Sequence, residues 1–473
     1  MRPVSRLLVS LLLAILAAVL PAAARQVRPA DPAFEVRGGV PKNLIFFVAD
    51  GCGPATYTMA RDYAREILGR DQIFDAIQTG SVITRASNAR VTDSAAGATA
   101  FASGILTKNG RIGTDDDGAP VATVLEEAEK AGYWTGLVTT TRLTHATPAA
   151  FSAHVESRAS EDDIAVQQIS KGIEVLFGGG TNNFLPVGAG GARKDGQDVA
   201  AAAIRTGYRY VDAVSELEAT DGVPVLGLFN PSHVDYEIDR AAGDDPSLAQ
   251  MTRKALELLS RAPKGYFIMI EAGRIDHAAH GNDPAAHLHD LIAYDEAMRV
   301  ALEFARADGS TLIVATSDHE TGGLTVGRDG AYDWNPAALA PIKRSLEAMA
   351  GDVRAAVTSA GESGIAAAVE AIAVDAGYGE FSTEDSAALS KAVVDAWAKR
   401  DRPAAVLSAV AVVLKEIISR RSGLGWTTGG HTAVDVPLYA FGPGSERYVG
   451  RFENFVLGRM MARELGLEVG VGY

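Results

Sequence analysis

The chain has 473 residues, 47% hydrophobic and 22% charged, enough to bury a full core without disulfides or structural metals. Lys and Arg total 44 against 59 Asp and Glu, a net charge of −15, and no basic cluster is present to neutralise a phosphate backbone, which excludes a general nucleic-acid binder. With one cysteine, 49 glycines and 19 prolines, the disulfide-scaffold, collagen-like and disordered classes fall away too, leaving a globular protein with the composition of an enzyme.

In chain order, Arg2 and Arg6, an apolar run over residues 7–20 and Ala22-Ala23-Ala24 read as a cleavable export signal over residues 1–24. The run is short for a bilayer span and Pro21 follows it directly, so a periplasmic or secreted enzyme is expected. Residues 43–49 (NLIFFVA) predict a buried strand running into Asp50-Gly51. Residues 81–84 (SVIT) predict another, followed by the small-residue run 92–99, which resembles the first turns of a tightly packed helix. Ser94 near that N-terminus suits a nucleophile, because backbone N–H groups and the helix dipole favour a phosphate there. The same pattern fits Asp93 or Ser94 as a plain N-cap.

Residues 123–130 predict a helix stopped by Gly132, and residues 135–141 (TGLVTTT) a strand leading to His145 and Thr147. Gly178-Gly179-Gly180 reads as a turn. A helix over 251–260 precedes the strand 266–270 (YFIMI), which runs into Glu271, Asp276, His277 and His280. The long helix 284–307 has Pro284 at its start and Gly309 just past its end. The strand 311–315 (TLIVA) then runs into Asp318-His319-Glu320. Residues 336–422 are Ala-rich and helical in pattern, expected as an insertion (a cap or dimer region) in a catalytic body of residues 25–335 and 423–473. His431 and the strand 437–441 close the series.

Strands alternating with helices predict an α/β fold on a parallel sheet. In such sheets, sites form at the carboxyl ends of strands. Three of these strands end in carboxylates, two with adjacent histidines, a donor set that suits Zn²⁺ with an oxygen-rich pocket left for Mg²⁺. Of the nine histidines, His154, His233, His287 and His289 lack such context and are expected to be surface or core residues. No G-x-S-x-G elbow, P-loop or G-x-G-x-x-G fingerprint occurs.

Asp50-Gly51, Thr92-Asp93-Ser94-Ala95-Ala96, Glu271, Asp276-x-x-x-His280, Asp318-His319-Glu320-Thr321-Gly322-Gly323 and Gly430-His431-Thr432 resemble, in order, the successive motifs of alkaline phosphatases. The resemblance implies an α/β/α sandwich around a large, mostly parallel sheet. It implies Ser94 as the nucleophile that becomes phosphorylated and Arg158 as the arginine that grips the substrate phosphate. Asp276, His280 and His431 match the ligands of one zinc, Asp50, Asp318 and His319 those of a second. Asp50, Thr147 and Glu271 match a third, magnesium-type site. Family members vary at His145 and His277; His145 is expected to orient a metal-bound water rather than ligate directly, and His277 to contact phosphate through water. The identity of the third metal stays open.

Implied partners are small-molecule phosphomonoesters, with inorganic phosphate as product inhibitor, and the resemblance favours a homodimer. The nearest rivals are a sulfatase or phosphodiesterase on the same fold. Cys52-Gly53-Pro54-Ala55-Thr56 misses the sulfatase pattern C-x-P-x-R by its last residue, and Arg158 favours a monoester with free oxygens to hold. A non-catalytic phosphate or metal binder would need neither Ser94 nor six zinc ligands.

Overall fold

The computed structural model describes residues 38–241, 243, 245–397 and 402–470; the export signal expected over residues 1–24 lies outside them. Fourteen strands are present among the described residues: β1 Asn43–Val48, β2 Gln78–Ile83, β3 Trp134–Arg142, β4 Val175–Gly179, β5 Arg209–Val211, β6 Val225–Leu228, β7 Tyr266–Glu271, β8 Thr311–Thr316, β9 Glu320–Thr321, β10 Leu324–Val326, β11 Leu424–Trp426, β12 His431–Thr432, β13 Val436–Phe441 and β14 Gly450–Glu453. Ten of them form one sheet in the order β14-β2-β13-β8-β1-β7-β3-β4-β6-β5. Every neighbouring pair in it is parallel except the two made by β13, which runs antiparallel to β2 and β8. The fold is the expected α/β class on a mostly parallel sheet.

The central strands read as unbroken apolar runs because helices cover both faces. Every residue of β1, β7 and β8 is buried. Successive β1 side chains point to opposite faces, as strand geometry requires. Phe46 packs against Phe101 of the helix Ser94–Ser103 and Phe151 of the helix Ala146–Ser152, at ring centroid distances of 5.3 and 6.1 Å. Phe47 meets Tyr294 of the helix Pro284–Asp308 on the other face, at 5.6 Å.

That long helix starts on Asp283, whose side chain accepts from Ala285 and Ala286 N–H, and stops at Gly309 in the left-handed conformation. The helix Val124–Lys130 carries a capping box between Thr123 and Glu126. The expected Gly178–Gly180 turn is displaced: Gly178 and Gly179 finish β4, and only Gly180, at φ 106°, turns the chain.

Residues 336–422 contain the helices Leu346–Ser359, Gly361–Ala373, Thr383–Trp397 and Arg402–Ser422. Backbone N–H groups of Ser345 and Leu346 donate to Asp239 and Asp283, both at 2.8 Å, and Trp334 Nε1 donates to Asp62 at 2.9 Å. No helix among the described residues is long and apolar enough to cross a membrane.

The helix Ser94–Ser103 is buried along its whole length, and the helix Asn454–Glu464 crosses it at Gly458. A Cβ on Gly458 would lie 2.5 Å from Phe101 O and 2.6 Å from Ala100 O, so the two backbones must separate to admit one. Gly458→Ala is expected to destabilise the protein by about 1–3 kcal/mol through overpacking, measured as a lower thermal unfolding midpoint; an unchanged midpoint contradicts this packing.

Candidate functional site

Four neighbouring strands, β8, β1, β7 and β3, end on one edge of the sheet and deliver the polar clusters there. Asp318 and His319 follow β8, Asp50 follows β1, Glu271 ends β7, and His145 and Thr147 follow β3. Because β13 is antiparallel, its amino end lies at that same edge, and His431 in β12 pairs with Thr321 in β9. Gly51 makes the turn after Asp50 at φ 73°; a Cβ there would lie 2.7 Å from Asp276, so glycine lets the two carboxylate segments approach.

Three groups of ligand atoms converge, each within 4.8 Å: Asp50, Asp318 and His319; Asp276, His319 and His431; and Asp50, His145 and Glu271. His280 joins the second, its Nε2 3.4 Å from Asp276 and 3.1 Å from His431 Nε2. Thr147 Oγ1 donates to Asp50 at 3.4 Å in the third. All eight metal-site residues expected from the sequence are thus brought to one crevice.

Hydrogen bonds fix the imidazoles. His280 Nδ1 donates to Gly429 O at 2.7 Å, and His431 Nδ1 to Thr92 O at 2.8 Å. A carbonyl can only accept, so in the neutral rings both Nε2 atoms carry lone pairs. Two such lone pairs 3.1 Å apart repel unless a cation lies between them. His319 Nδ1 contacts Thr321 Oγ1 at 3.2 Å, and that hydroxyl donates to Asp276 at 2.6 Å, leaving His319 Nε2 facing Asp318 at 3.3 Å and Asp50 at 3.5 Å.

Asp50, Glu271, Asp276 and Asp318 are all buried, and among the described residues no Lys or Arg forms an ion pair with any of them. Asp50 Oδ1, Glu271 Oε1 and Asp318 Oδ2 have no hydrogen-bond partner among the described residues. Burial, then the charges of Asp318, Asp276 and Glu271, raises the Asp50 pKa well above the usual carboxylate range. Burial lifts Asp318 to about 6 and Glu271 to about 7. For Asp276 burial is outweighed: the His280 hydrogen bond and nearby histidines hold it well below that range. The same hydrogen bond raises His280 to about 9, while burial lowers His319 to about 4. Orphaned carboxylate oxygens beside aligned imidazole lone pairs are a donor set that fits divalent cations.

Asp93 is the N-cap of the helix Ser94–Ser103; its carboxylate accepts from Ala96 N and Gly110 N, each at 3.0 Å. Ser94 therefore keeps its hydroxyl free of capping, with Oγ 3.2 Å from His319 Nε2. Arg158 reaches the same place, Nη1 donating to Asp93 at 3.2 Å and Nη2 lying 3.0 Å from His145 Nε2. His277 lies beside this cluster, its ring centroid 5.4 Å from that of His145.

His233, expected to be a surface or core residue, packs 4.3 Å from His277, and Arg142 and Arg274 flank the pair. The signal for His233 was its place just past β6, another strand end, but Val225–Leu228 is too short to stand out by pattern. Of the other histidines without context, His287 bonds Thr56 and Ile275 O, His154 bonds Gly113 O, and His289 packs against the Tyr63 ring at 6.2 Å.

A family model described as alkaline phosphatase matches residues 41–467. The chain is 38% identical to the repressible alkaline phosphatase of Saccharomyces cerevisiae, over 91% of this chain and 80% of that protein. It is 34% identical to alkaline phosphatase 3 of Bacillus subtilis, over 91% and 90% respectively. The crystal structure of Thermus thermophilus alkaline phosphatase superposes with a TM-score of 0.79 at 32% identity, covering 95% of this chain and 96% of that one.

Divalent cations and protons compete for the same ligands, of which Glu271, Asp318 and His280 must shed protons to bind. The rise in unfolding midpoint on adding Zn²⁺ or Mg²⁺ to chelated protein is expected to be larger at pH 8 than at pH 6. Thermal scans with and without each ion check this; a gain that shrinks as pH rises contradicts it.

Proposed function

The chain belongs to the alkaline phosphatase family and is a hydrolase of that class, and from that premise we propose that it cleaves phosphate monoesters through a phosphoserine at Ser94. The observation that carries this reading is the Ser94 hydroxyl, released from capping by Asp93 and set between His319 and the N-terminus of a ten-residue helix. In the first half-reaction Ser94 Oγ bonds to phosphorus while the bond to the alcohol oxygen breaks, and the alcohol leaves carrying a proton. In the second, a water oxygen bonds to phosphorus, the Ser94 ester bond breaks, Ser94 regains its proton and inorganic phosphate departs.

We assign Zn²⁺ to Asp276, His280 and His431 and to Asp50, Asp318 and His319, and Mg²⁺ to Asp50, Thr147 and Glu271. When bound, such ions stabilise the oxygens entering and leaving phosphorus and favour the ionised serine. Helix N–H groups beside Ser94 favour the phosphate dianion electrostatically. Arg158 supplies a planar fork for two non-bridging oxygens, aligned beforehand by Asp93 and His145. Because the guanidinium only donates, His145 accepts at Nε2 and its neutral ring carries the proton on Nδ1, a buried atom with no partner among the described residues. That favours His145 as a donor to water rather than a ligand. His277 is assigned a water-mediated contact with phosphate. The leader-like residues 1–24 support a periplasmic or secreted location.

With p-nitrophenyl phosphate, Ser94→Ala is expected to lower kcat by about a thousandfold or more while zinc content stays at the parent level. Retention of near-parental turnover overturns the nucleophile assignment. Arg158→Ala is expected to raise KM and the inhibition constant of phosphate by about 10- to 100-fold, as loss of charged hydrogen bonds predicts; unchanged values contradict the phosphate grip. Turnover of a sulfate ester or a diester in place of the monoester would redirect the substrate class.

A further inference from the structure

Arg274 begins the helix Arg274–Gly281, which also carries Asp276, His277 and His280. It is only 4% exposed, and its guanidinium carbon lies 3.6 Å from the centroid of the Tyr236 ring. Its two terminal nitrogens are engaged in different directions. Nη1 lies 3.1 Å from His277 Nδ1, and Nη2 donates to Glu347 Oε1 at 2.8 Å. Glu347 stands in the first turn of the helix Leu346–Ser359, in the helical segment 336–422, and its side chain is 63% exposed.

Arginine has donors and no acceptor, so His277 Nδ1 accepts the Arg274 hydrogen. A neutral imidazole that accepts at Nδ1 carries its proton on Nε2. Among the described residues no hydrogen bond reaches His277 Nε2, so that N–H is the ring's one unspent donor. The ring is also wedged: His233 packs against it at 4.3 Å and 66°, and His145 at 5.4 Å and 83°. An exposed ion pair to Glu347 adds little stability on its own. Its effect lies in aiming a buried guanidinium.

We propose that Arg274, held by Glu347, is a positioning residue that fixes His277 as an Nε2–H donor to the water that contacts the substrate phosphate and so ties the 346–359 helix to phosphate recognition. This rests on the proposed phosphate contact of His277. Without Arg274 the ring is free to take the other tautomer or turn over, and the donor then faces that water only part of the time. Segment 336–422, which supplies no proposed ligand or nucleophile, thereby affects substrate affinity.

The test is a double-mutant cycle on the metal-loaded enzyme with p-nitrophenyl phosphate, with inorganic phosphate as inhibitor, following metal content and unfolding midpoint alongside. Arg274→Met is expected to raise KM and the phosphate inhibition constant about three- to tenfold, the effect of one hydrogen bond, with kcat within about twofold. Arg274→Lys, which keeps a donor, should recover part of the loss. Glu347→Gln should shift the same constants in the same direction by less. In a His277→Ala background both effects should vanish. Effects that persist undiminished there, or an Arg274→Met enzyme with parental KM, overturn the proposal. Should Arg274→Met fail to fold, the cycle of Glu347→Gln with His277→Ala decides it on the same criterion. A parent enzyme that does not turn over the monoester counts against the phosphatase reading instead, whereas an active parent with additive variants counts against the Arg274 link alone.

Discussion

Four carboxylates, Asp50, Glu271, Asp276 and Asp318, are buried together, and among the described residues no lysine or arginine is ion-paired to any of them. Stripping water from one charged carboxylate already costs several kcal/mol, and like charges packed together add to it. This strain shows as upward pKa shifts on three of the four, and beside them His280, its pKa raised by the Asp276 hydrogen bond, meets His431 Nε2 to Nε2 at 3.1 Å. Divalent cations relieve both at once. The crevice is thus built around charges that the chain itself does not supply.

The rest of the fold keeps those groups together. β8, β1, β7 and β3 lie side by side and parallel, so their carboxyl ends, and the polar residues just beyond, share one edge. The antiparallel β13 reverses the chain and brings His431 back to the edge reached by Asp318 and His319 from the neighbouring β8. The buried helix Ser94–Ser103 then presents Ser94 from one face of the sheet, its cap satisfied by the adjacent aspartate. Local capping and global topology therefore serve the same site: had Ser94 been the cap, its hydroxyl would be occupied by backbone.

Around the candidate ligands, the second layer sets which nitrogen of each ring is available. Carbonyls of Gly429 and Thr92 take the Nδ1 hydrogens of His280 and His431, and Thr321 links His319 to Asp276. Arginines do the reverse. Arg158 and Arg274, with donors only, require His145 and His277 to accept, which suits those two rings to offering a hydrogen rather than a lone pair. Five histidines of one crevice are sorted into two chemical roles by their hydrogen-bond partners, some two or three positions away and others more than a hundred.

Much of this was legible in the amino-acid sequence. Runs such as NLIFFVA, YFIMI and TLIVA fixed the central strands to within a residue or two, because a doubly covered strand must be apolar throughout. The polar clusters directly after them marked the site, since strand and ligand are adjacent in the chain. Short or glycine-rich strands such as β4 and β6 lacked that signature: Gly178 and Gly179 passed for a turn, and His233 beyond β6 for a surface or core residue without site context. What the sequence by itself determined was the α/β alternation and the inventory of candidate ligands and candidate nucleophile, all carried by neighbouring residues. What only the tertiary structure decided was strand order, the antiparallel return of β13, Asp93 over Ser94 as the cap, and the tautomer each imidazole is held in. Those depend on which of several candidate donors and acceptors folding brings together, some three positions apart and some hundreds, and that choice leaves no local pattern to read.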